Sequence, residues 1–390
     1  MSETLRARVT VVVPAHDEEA ALPRTLTSVA SQTLRPERVL VVSDNSTDRT
    51  AEVARSLGAD TMETVDNSAR KAGALDQALR AVDTPLVLVL DADTTIAPTF
   101  VEEGVRLLEA DPGLGAVGGV FQGEDPRGLL QWCQANEYRR YAEQIDVTGR
   151  TAVLTGTAAL LRTDALRAVA DARGTRLPGR HGDVYDRGAI TEDSELTLAL
   201  RTLGYRLASP VTMTCTTELM PTWGDLHRQR VRWYKGMLDN LRAYGLSRVT
   251  VRYHAQQLML LVGATMLATL LVLTAASVAL GTFHVVPGWL ALGSVFVAER
   301  VTTAWRNGPR GRLSWPSPCF PSSGTTSRSR SRSRTPSCWR PPVATPRGTM
   351  WPTRRPPWPD GAAARAGRGH RASRASAAPR SCRPSTPSLR

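Results

Sequence analysis

Asp91-Ala92-Asp93 closes the apolar run Pro85-Leu-Val-Leu-Val-Leu90. Two carboxylates one residue apart at the tip of a buried strand can share one divalent cation. Such hard oxygen ligands suit Mg²⁺ or Mn²⁺ carrying a diphosphate. A solvated turn has the same composition, so the neighbours decide. Acids follow two earlier apolar runs as well: Asp17 and Glu18 after residues 9–14, and Asp44 and Asp48 after residues 38–43. Asp44 fits a polar ligand contact and equally an Asx turn or helix cap before Thr47-Asp48. Lysine occurs only at 71 and 235. Lys71 is therefore either a compact point charge facing a ligand or a solvated cation at a helix start. Asp193 lies in Thr191-Glu192-Asp193, where acids also serve a helix first turn. Gln229, Arg232 and Trp233 fall at i, i+3 and i+4, on one helical face. An amide and a guanidinium suit phosphate and sugar hydroxyls, and an indole suits the apolar face of a pyranose. The same residues also suit a helix lying on a membrane surface.

The elements that must position these groups alternate. Residues 9–14, 38–44 and 85–90 read as strands, and 18–32, 47–57 and 69–82 as helices. This order implies a parallel sheet with helices on both faces. Ligands of such sheets bind beyond the carboxyl ends of the strands, where the acids stand. No Gly-x-Gly-x-x-Gly follows the first strand. A mononucleotide held through a metal ion fits better than a dinucleotide.

Taken in order, Val-Pro-Ala-His-Asp-Glu-Glu (13–19), Ser-Asp-Asn-Ser-Thr-Asp (43–48), Lys-Ala-Gly-Ala-Leu-Asp (71–76), Asp-Ala-Asp (91–93), Thr-Gly-Thr (155–157), Thr-Glu-Asp (191–193) and Gln-Arg-Val-Arg-Trp (229–233) form a set. The chain resembles, over roughly residues 8–300, the membrane-bound, processive type of family 2 glycosyltransferases. Those are the cellulose, hyaluronan and poly-N-acetylglucosamine synthases. The resemblance implies a GT-A type, Rossmann-like mixed sheet with helices on both faces, followed by an interface helix and C-terminal transmembrane helices. It implies a UDP-sugar donor held by Asp44, Lys71, Asp91 and Arg232. Mg²⁺ or Mn²⁺ would sit on Asp91 and Asp93, with Asp193 as general base. Gly156, Thr157, Gln229 and Trp233 would face a glycan or lipid-linked acceptor. The implied chemistry is one inverting displacement. Residues 173–190, rich in Gly, Arg and Asp, read as a mobile gate before Thr191.

The expected organisation is a catalytic domain over 1–220, an amphipathic interface region over 221–256, a transmembrane hairpin over 257–312 and a tail over 313–390. Residues 258–280 are uncharged and long enough to span a bilayer. Residues 281–298 are a weaker second span, interrupted by Pro287. Arg242, Arg248 and Arg252 precede the pair, and Arg300, Arg306, Arg310 and Arg312 follow it. The positive-inside rule then puts both ends of the hairpin, with the catalytic domain, in the cytoplasm of a membrane-bound protein. No signal peptide or span precedes the first strand, unlike many relatives.

The tail holds fifteen Arg against one acid, Asp360, so the net charge of +13 belongs to it and the remainder is close to neutral. Its composition is that of a disordered segment. A shift of reading frame explains it as well. Ser (TCN) and Arg (CGN) codons re-read one base earlier give apolar and small residues fit for a bilayer. Nucleic acid is not an expected partner. The five cysteines form no Cys-x-x-Cys pair, which argues against zinc and disulfide frameworks. Three functions remain open: a processive polysaccharide synthase, a non-processive transferase to a lipid or short acceptor, and a non-catalytic membrane or nucleic-acid binder using the tail. The intact acids at 44, 91, 93 and 193 argue against the last.

Overall fold

The computed structural model describes residues 8–285 and 287–306. Residues 307–312 of the expected hairpin, with Arg310 and Arg312, and the tail over 313–390 lie outside them. The first half alternates: β1 (Val9–Ala15), α1 (Leu22–Ala30), β2 (Arg38–Ser43), α2 (Thr50–Ser56), β3 (Asp60–Glu63), α3 (Arg70–Leu79) and β4 (Leu86–Leu90). There follow β5 (Thr95–Ile96), α4 (Phe100–Ala110), β6 (Leu114–Gly118), β7 (Val120–Gly123), α5 (Gly128–Thr148), β8 (Ala158–Arg162) and α6 (Thr163–Ala172). The last elements are α7 (Glu192–Thr202), β9 (Arg206–Ala208), β10 (Thr214–Thr217), α8 (Trp223–Tyr244), α9 (Val251–Ala279) and α10 (Pro287–Arg306).

Seven strands form one sheet in the order β3-β2-β1-β4-β8-β6-β9. β1 pairs in parallel with β2 and β4, and β2 with β3. β8 runs antiparallel between β4 and β6, so the sheet is mixed. A smaller sheet, β5-β10-β7, sits beside it. The β-branched run of β1 buries Val9, Val11 and Val13 on one face against α1 and α4, through Leu22, Leu26, Phe100 and Leu108. Val12 points the other way, into a second core with Leu75 of α3, Leu166 of α6 and Leu196 of α7. A strand covered on both faces reads as a continuous apolar run, which is why 85–90 lacks alternation. β3 has no such run. Asp60-Thr-Met-Glu63 is an exposed edge with no burial pattern to betray it.

Pro287 does not interrupt a helix. It opens α10, where its missing N–H costs nothing. Among the described residues only α9 is long and apolar enough to cross a membrane. It has 29 residues, a mean hydropathy of 2.3 and no buried share in its apolar window. α10 carries Glu299 and Arg300 along its length. At the foot of α9, Tyr253 is buried against Leu198 and Leu241. Its hydroxyl donates to the Ala152 carbonyl at 2.6 Å.

Candidate active site

The parallel strands end together, and their acids differ in what they hold. Asp44 is buried at the end of β2. Its Oδ1 accepts from Asn45 Nδ2 (3.0 Å), Thr64 Oγ1 (2.8 Å) and Asn67 Nδ2 (2.7 Å). Three donors on one oxygen fix the carboxylate plane and leave Oδ2 outside that set. Asp17 and Asp48 stitch loops. Asp17 Oδ1 accepts from the Thr47 amide at 2.6 Å, and Asp48 accepts from the amides of Glu19 and Thr50 at 3.0 and 2.9 Å.

Lys71 is the centre of the constellation. From the first turn of α3 its Nζ reaches Asp91 Oδ1 at 2.6 Å, Glu192 Oε1 at 2.9 Å and the Gly156 carbonyl at 3.1 Å. One ammonium thereby gathers the end of β4, the loop before β8 and the start of α7. The Asp91 amide donates to the Thr157 carbonyl at 2.9 Å, tying the same loop to the strand end. Gly156 lies against Asp193. A Cβ at 156 would stand 3.1 Å from Asp193 Oδ2, so a side chain there would crowd the carboxylate. Lys71, Gly156, Glu192 and Asp193 line a small cavity of about 20 Å³ that also takes in Tyr185 and Leu196. Asp91 and Asp193, 102 positions apart in the chain, are thus linked through Lys71, which pairs with Asp91 and donates to the carbonyl of the glycine that Asp193 lies against.

Acid outnumbers base here, and the ionisations follow. Burial pushes Asp91 up to about 7, with Lys71 opposing and Asp93 adding to the rise. Burial, then the charge of Glu192, pushes Asp193 up to about 6 against the pull of Lys71. Glu192 stays below the usual range, because Lys71 and the Arg232 guanidinium outweigh its burial. Burial disfavours the Lys71 charge, but Asp91 and Glu192 prevail and raise its pKa. Asp93 faces a second group of acids. Burial and the charges of Asp93, Glu218 and Asp48 push Glu18 up to about 7.

Among the described residues no three side chains of His, Cys, Asp or Glu cluster to hold a metal. Asp91 and Asp93 nevertheless fit a hard cation that takes its remaining oxygens from a diphosphate. The excess of carboxylate around them is what such a cation would neutralise.

The α8 residues lie to one side. Trp233 is half-buried with the Arg230 guanidinium 4.6 Å over its ring. The Gln229 Oε1 is buried and has no hydrogen-bond partner among the described residues. Arg232 is exposed, yet near enough to act on Glu192. Thr157 turns its hydroxyl inward, 2.7 Å from Thr155 Oγ1 and 3.3 Å from Cys215 Sγ, so its backbone rather than its side chain reaches the site.

Several residues were silent in the sequence. Glu192 is a first-turn acid, as the sequence implied, and is also the second partner of Lys71. Gly236 lets α8 lie on α7: a Cβ there would come within 2.3 Å of Thr191 Oγ1. Asn240 is buried, and its Nδ2 donates to Ser194 Oγ at 2.9 Å and to the Thr191 carbonyl at 3.3 Å. A lone glycine in a helix pattern was the only available signal. Residues 173–190, expected as a gate, have a buried stretch in their middle: the amides of Val184 and Tyr185 both donate to Asp76 Oδ1 at 2.9 Å.

Residues 10–170 match the family model described as Glycosyl transferase family 2. The poly-beta-1,6-N-acetyl-D-glucosamine synthase of Staphylococcus aureus (strain COL) is 26% identical over 238 residues, 58% of this chain and 54% of that protein. The synthase of the same name from Staphylococcus epidermidis gives the same identity and coverage. The chain thus spans about half the length of the curated relatives it matches. A solved mannosyltransferase from Pyrobaculum calidifontis, in complex with GDP-Man and Mn²⁺, superposes with a TM-score of 0.56 at 24% identity. It covers 78% of this chain and 88% of its own, and the likeness is one of fold.

Proposed function

We propose that this chain, which carries a glycosyl transferase family 2 domain over residues 10–170, moves a sugar from a UDP-sugar onto a growing β-linked polysaccharide at the cytoplasmic face of a membrane. One observation carries the reading. A single lysine joins the Asp-x-Asp strand end, the Gly156 loop and Glu192 at the start of α7. Buried ion pairs elsewhere in the fold join distant segments too; what favours a shared ligand is that this one stands beyond the carboxyl ends of the parallel strands.

The roles follow from position. Asp44, with Oδ1 saturated, presents Oδ2 to the N–H of a uracil ring. Asp91 and Asp93 would hold Mg²⁺ or Mn²⁺ with the donor's diphosphate, and the ion would supply charge neutralisation for the leaving group. Lys71 and Arg232 add positive charge beside it. Asp193 takes the proton of the acceptor hydroxyl as that oxygen attacks the anomeric carbon. The bond to the diphosphate breaks on the opposite side, nucleoside diphosphate leaves, and the anomeric centre inverts. Burial makes Asp193 a stronger base than an ordinary aspartate while leaving it mostly ionised at neutral pH. Gly156 keeps the acceptor side of that carboxylate open, and Gln229, whose Oε1 is buried without a partner among the described residues, would accept from a sugar hydroxyl once that oxygen is uncovered. Trp233 offers its ring to a pyranose face.

Membrane attachment rests on α9, whose apolar surface is uncovered, and on α8. α8 exposes Trp223, Val231, Tyr234 and Leu238 away from the domain, a face suited to a bilayer surface. The division into a catalytic domain, an interface region and membrane helices belongs to this same proposal.

The test is donor turnover in membranes holding the full chain, with UDP-glucose, UDP-N-acetylglucosamine, UDP-glucuronic acid or GDP-mannose, with and without Mn²⁺. Turnover of one UDP-sugar, lost on chelation and accompanied by a ladder of products, is expected. A product one sugar longer than its acceptor moves the assignment to non-processive transfer. No turnover of any donor overturns the reading.

A further inference from the structure

We propose that Arg173 is a positioning residue of this site, resting on the transferase reading above. With Glu195 and Tyr244 it holds the stretch around Val184 and Tyr185 as a fixed wall between the helix of Lys71 and the helix of Asp193. Arg173 follows α6 directly and is fully buried. Its Nη1 lies 2.5 Å from Glu195 Oε1 and its Nη2 2.7 Å from Glu195 Oε2, a two-pronged pair. The same nitrogens donate to the Pro178 carbonyl at 2.8 Å and the Val184 carbonyl at 2.5 Å. Tyr244 of α8 donates its hydroxyl to Glu195 Oε1 at 2.5 Å. Gly179, at φ +97°, lets the loop bend over the arginine, where a Cβ would stand 3.0 Å from Arg173 Cδ.

Stripping water from an arginine and a glutamate costs several kcal/mol, and apolar residues of similar volume often serve stability as well. What the pair adds is register. Glu195 lies one turn after Glu192 on α7. Asp76, which accepts from the amides of Val184 and Tyr185, lies on α3 with Lys71. The wall is therefore gripped on one side by the α7 acid through Arg173 and on the other by the α3 acid. Its Tyr185 lines the cavity shared with Lys71, Gly156, Glu192 and Asp193. Arg173 sets the spacing between the two helices whose side chains must meet at the sugar.

Arg173→Lys keeps the charge but loses the fork. Amide exchange at Val184 and Tyr185 is expected to accelerate, and kcat to fall about tenfold to a hundredfold with donor KM within about twofold, as small misplacement of reacting groups does. Unchanged exchange, or faster exchange with kcat within about twofold of the parent, overturns the proposal. Should the lysine variant not fold, two others decide. Tyr244→Phe removes only the hydroxyl on Glu195, and Arg173→Met with Glu195→Met replaces the pair by apolar bulk. A folded member of either kind with parental kcat and exchange overturns the proposal, and slowed turnover at parental KM supports it. A parent chain silent toward every donor would instead defeat the transferase reading, and amide exchange then judges the wall alone.

Discussion

The strand-end half of the site and the helix half are built by different forces. Asp44 and Asp91 stand on β2 and β4, parallel strands locked to β1 by main-chain hydrogen bonds and covered on both faces by valine and leucine. Any apolar residue of the right size keeps that scaffold. Asp193 and Gln229 stand on α7 and α8, which meet through a small apolar contact of Leu198 with Leu241 and through a few specific ones: Gly236 against Thr191, Asn240 on Ser194, and Tyr244 on Glu195. A sheet tolerates exchange because its geometry is carried by the backbone. A helix pair that relies on buried side-chain polar groups beside so small an apolar contact tolerates less, because each buried donor removed leaves an acceptor unsatisfied.

The comparison is broken most directly at Asp193. Asp193→Asn should lower kcat by about a hundredfold to ten-thousandfold, the usual worth of a general base. A buried carboxyl with a raised pKa is costly to ionise in the fold, so the same change should leave Tm no lower than that of the parent. Nucleotide release and a melting curve on one preparation check both. Near-parental release would remove Asp193 from the chemistry.

Next comes Gly236→Ala. Glycine to alanine inside a helix ordinarily stabilises by about 0.5–1 kcal/mol. Here the new methyl meets Thr191, and a loss of about 1–3 kcal/mol is expected, as for overpacking. Gly224, in the first turn of the same helix, has nothing closer than 3.6 Å to a built Cβ, so Gly224→Ala is the matched control. Equal effects of the two, read by denaturant unfolding, would mean that α8 does not rest on α7 as described.

Asp44→Asn probes the other half. The amide oxygen can still accept from Asn45, Thr64 and Asn67, while the free oxygen becomes a donor. Donor KM should rise about tenfold, close to 1.4 kcal/mol, with Tm unchanged. Lost stability at parental KM would mark Asp44 as a turn residue only.

The effect of pH is small only near neutrality. Asp193 acts in its ionised form and sits at about 6. Asp91, which must be ionised to hold a cation, sits at about 7, so kcat/KM should be flat only above about pH 8, fall by about tenfold per unit between the two values and fall more steeply below the lower one. A profile level down to pH 4 would place the base elsewhere.

How legible was all this? The sheet was, because a strand buried on both faces must be continuously apolar, and residues 9–14, 38–43 and 85–90 are. The acids after those runs were visible for the same reason. β3 was not, since an exposed edge of Asp, Thr, Met and Glu obeys no burial pattern. The antiparallel run of β8 was not, because direction is decided by the partner. Lys71 stood out by rarity, yet its partners lie 20 and 121 positions away in sequence.

The sequence by itself determined which residues are apolar enough to form the sheet, which acids end up at its edge, and that α9 has the length and composition of a membrane span. These follow from local pattern, which repeats every two or 3.6 residues. Only the tertiary structure decided that Lys71 would hold Asp91 and Glu192 together, that Gly236 would admit α8, and that Arg173 would close on Glu195. Such pairings depend on where distant segments come to lie, and a buried charge finds its partner in space, with no signature along the chain.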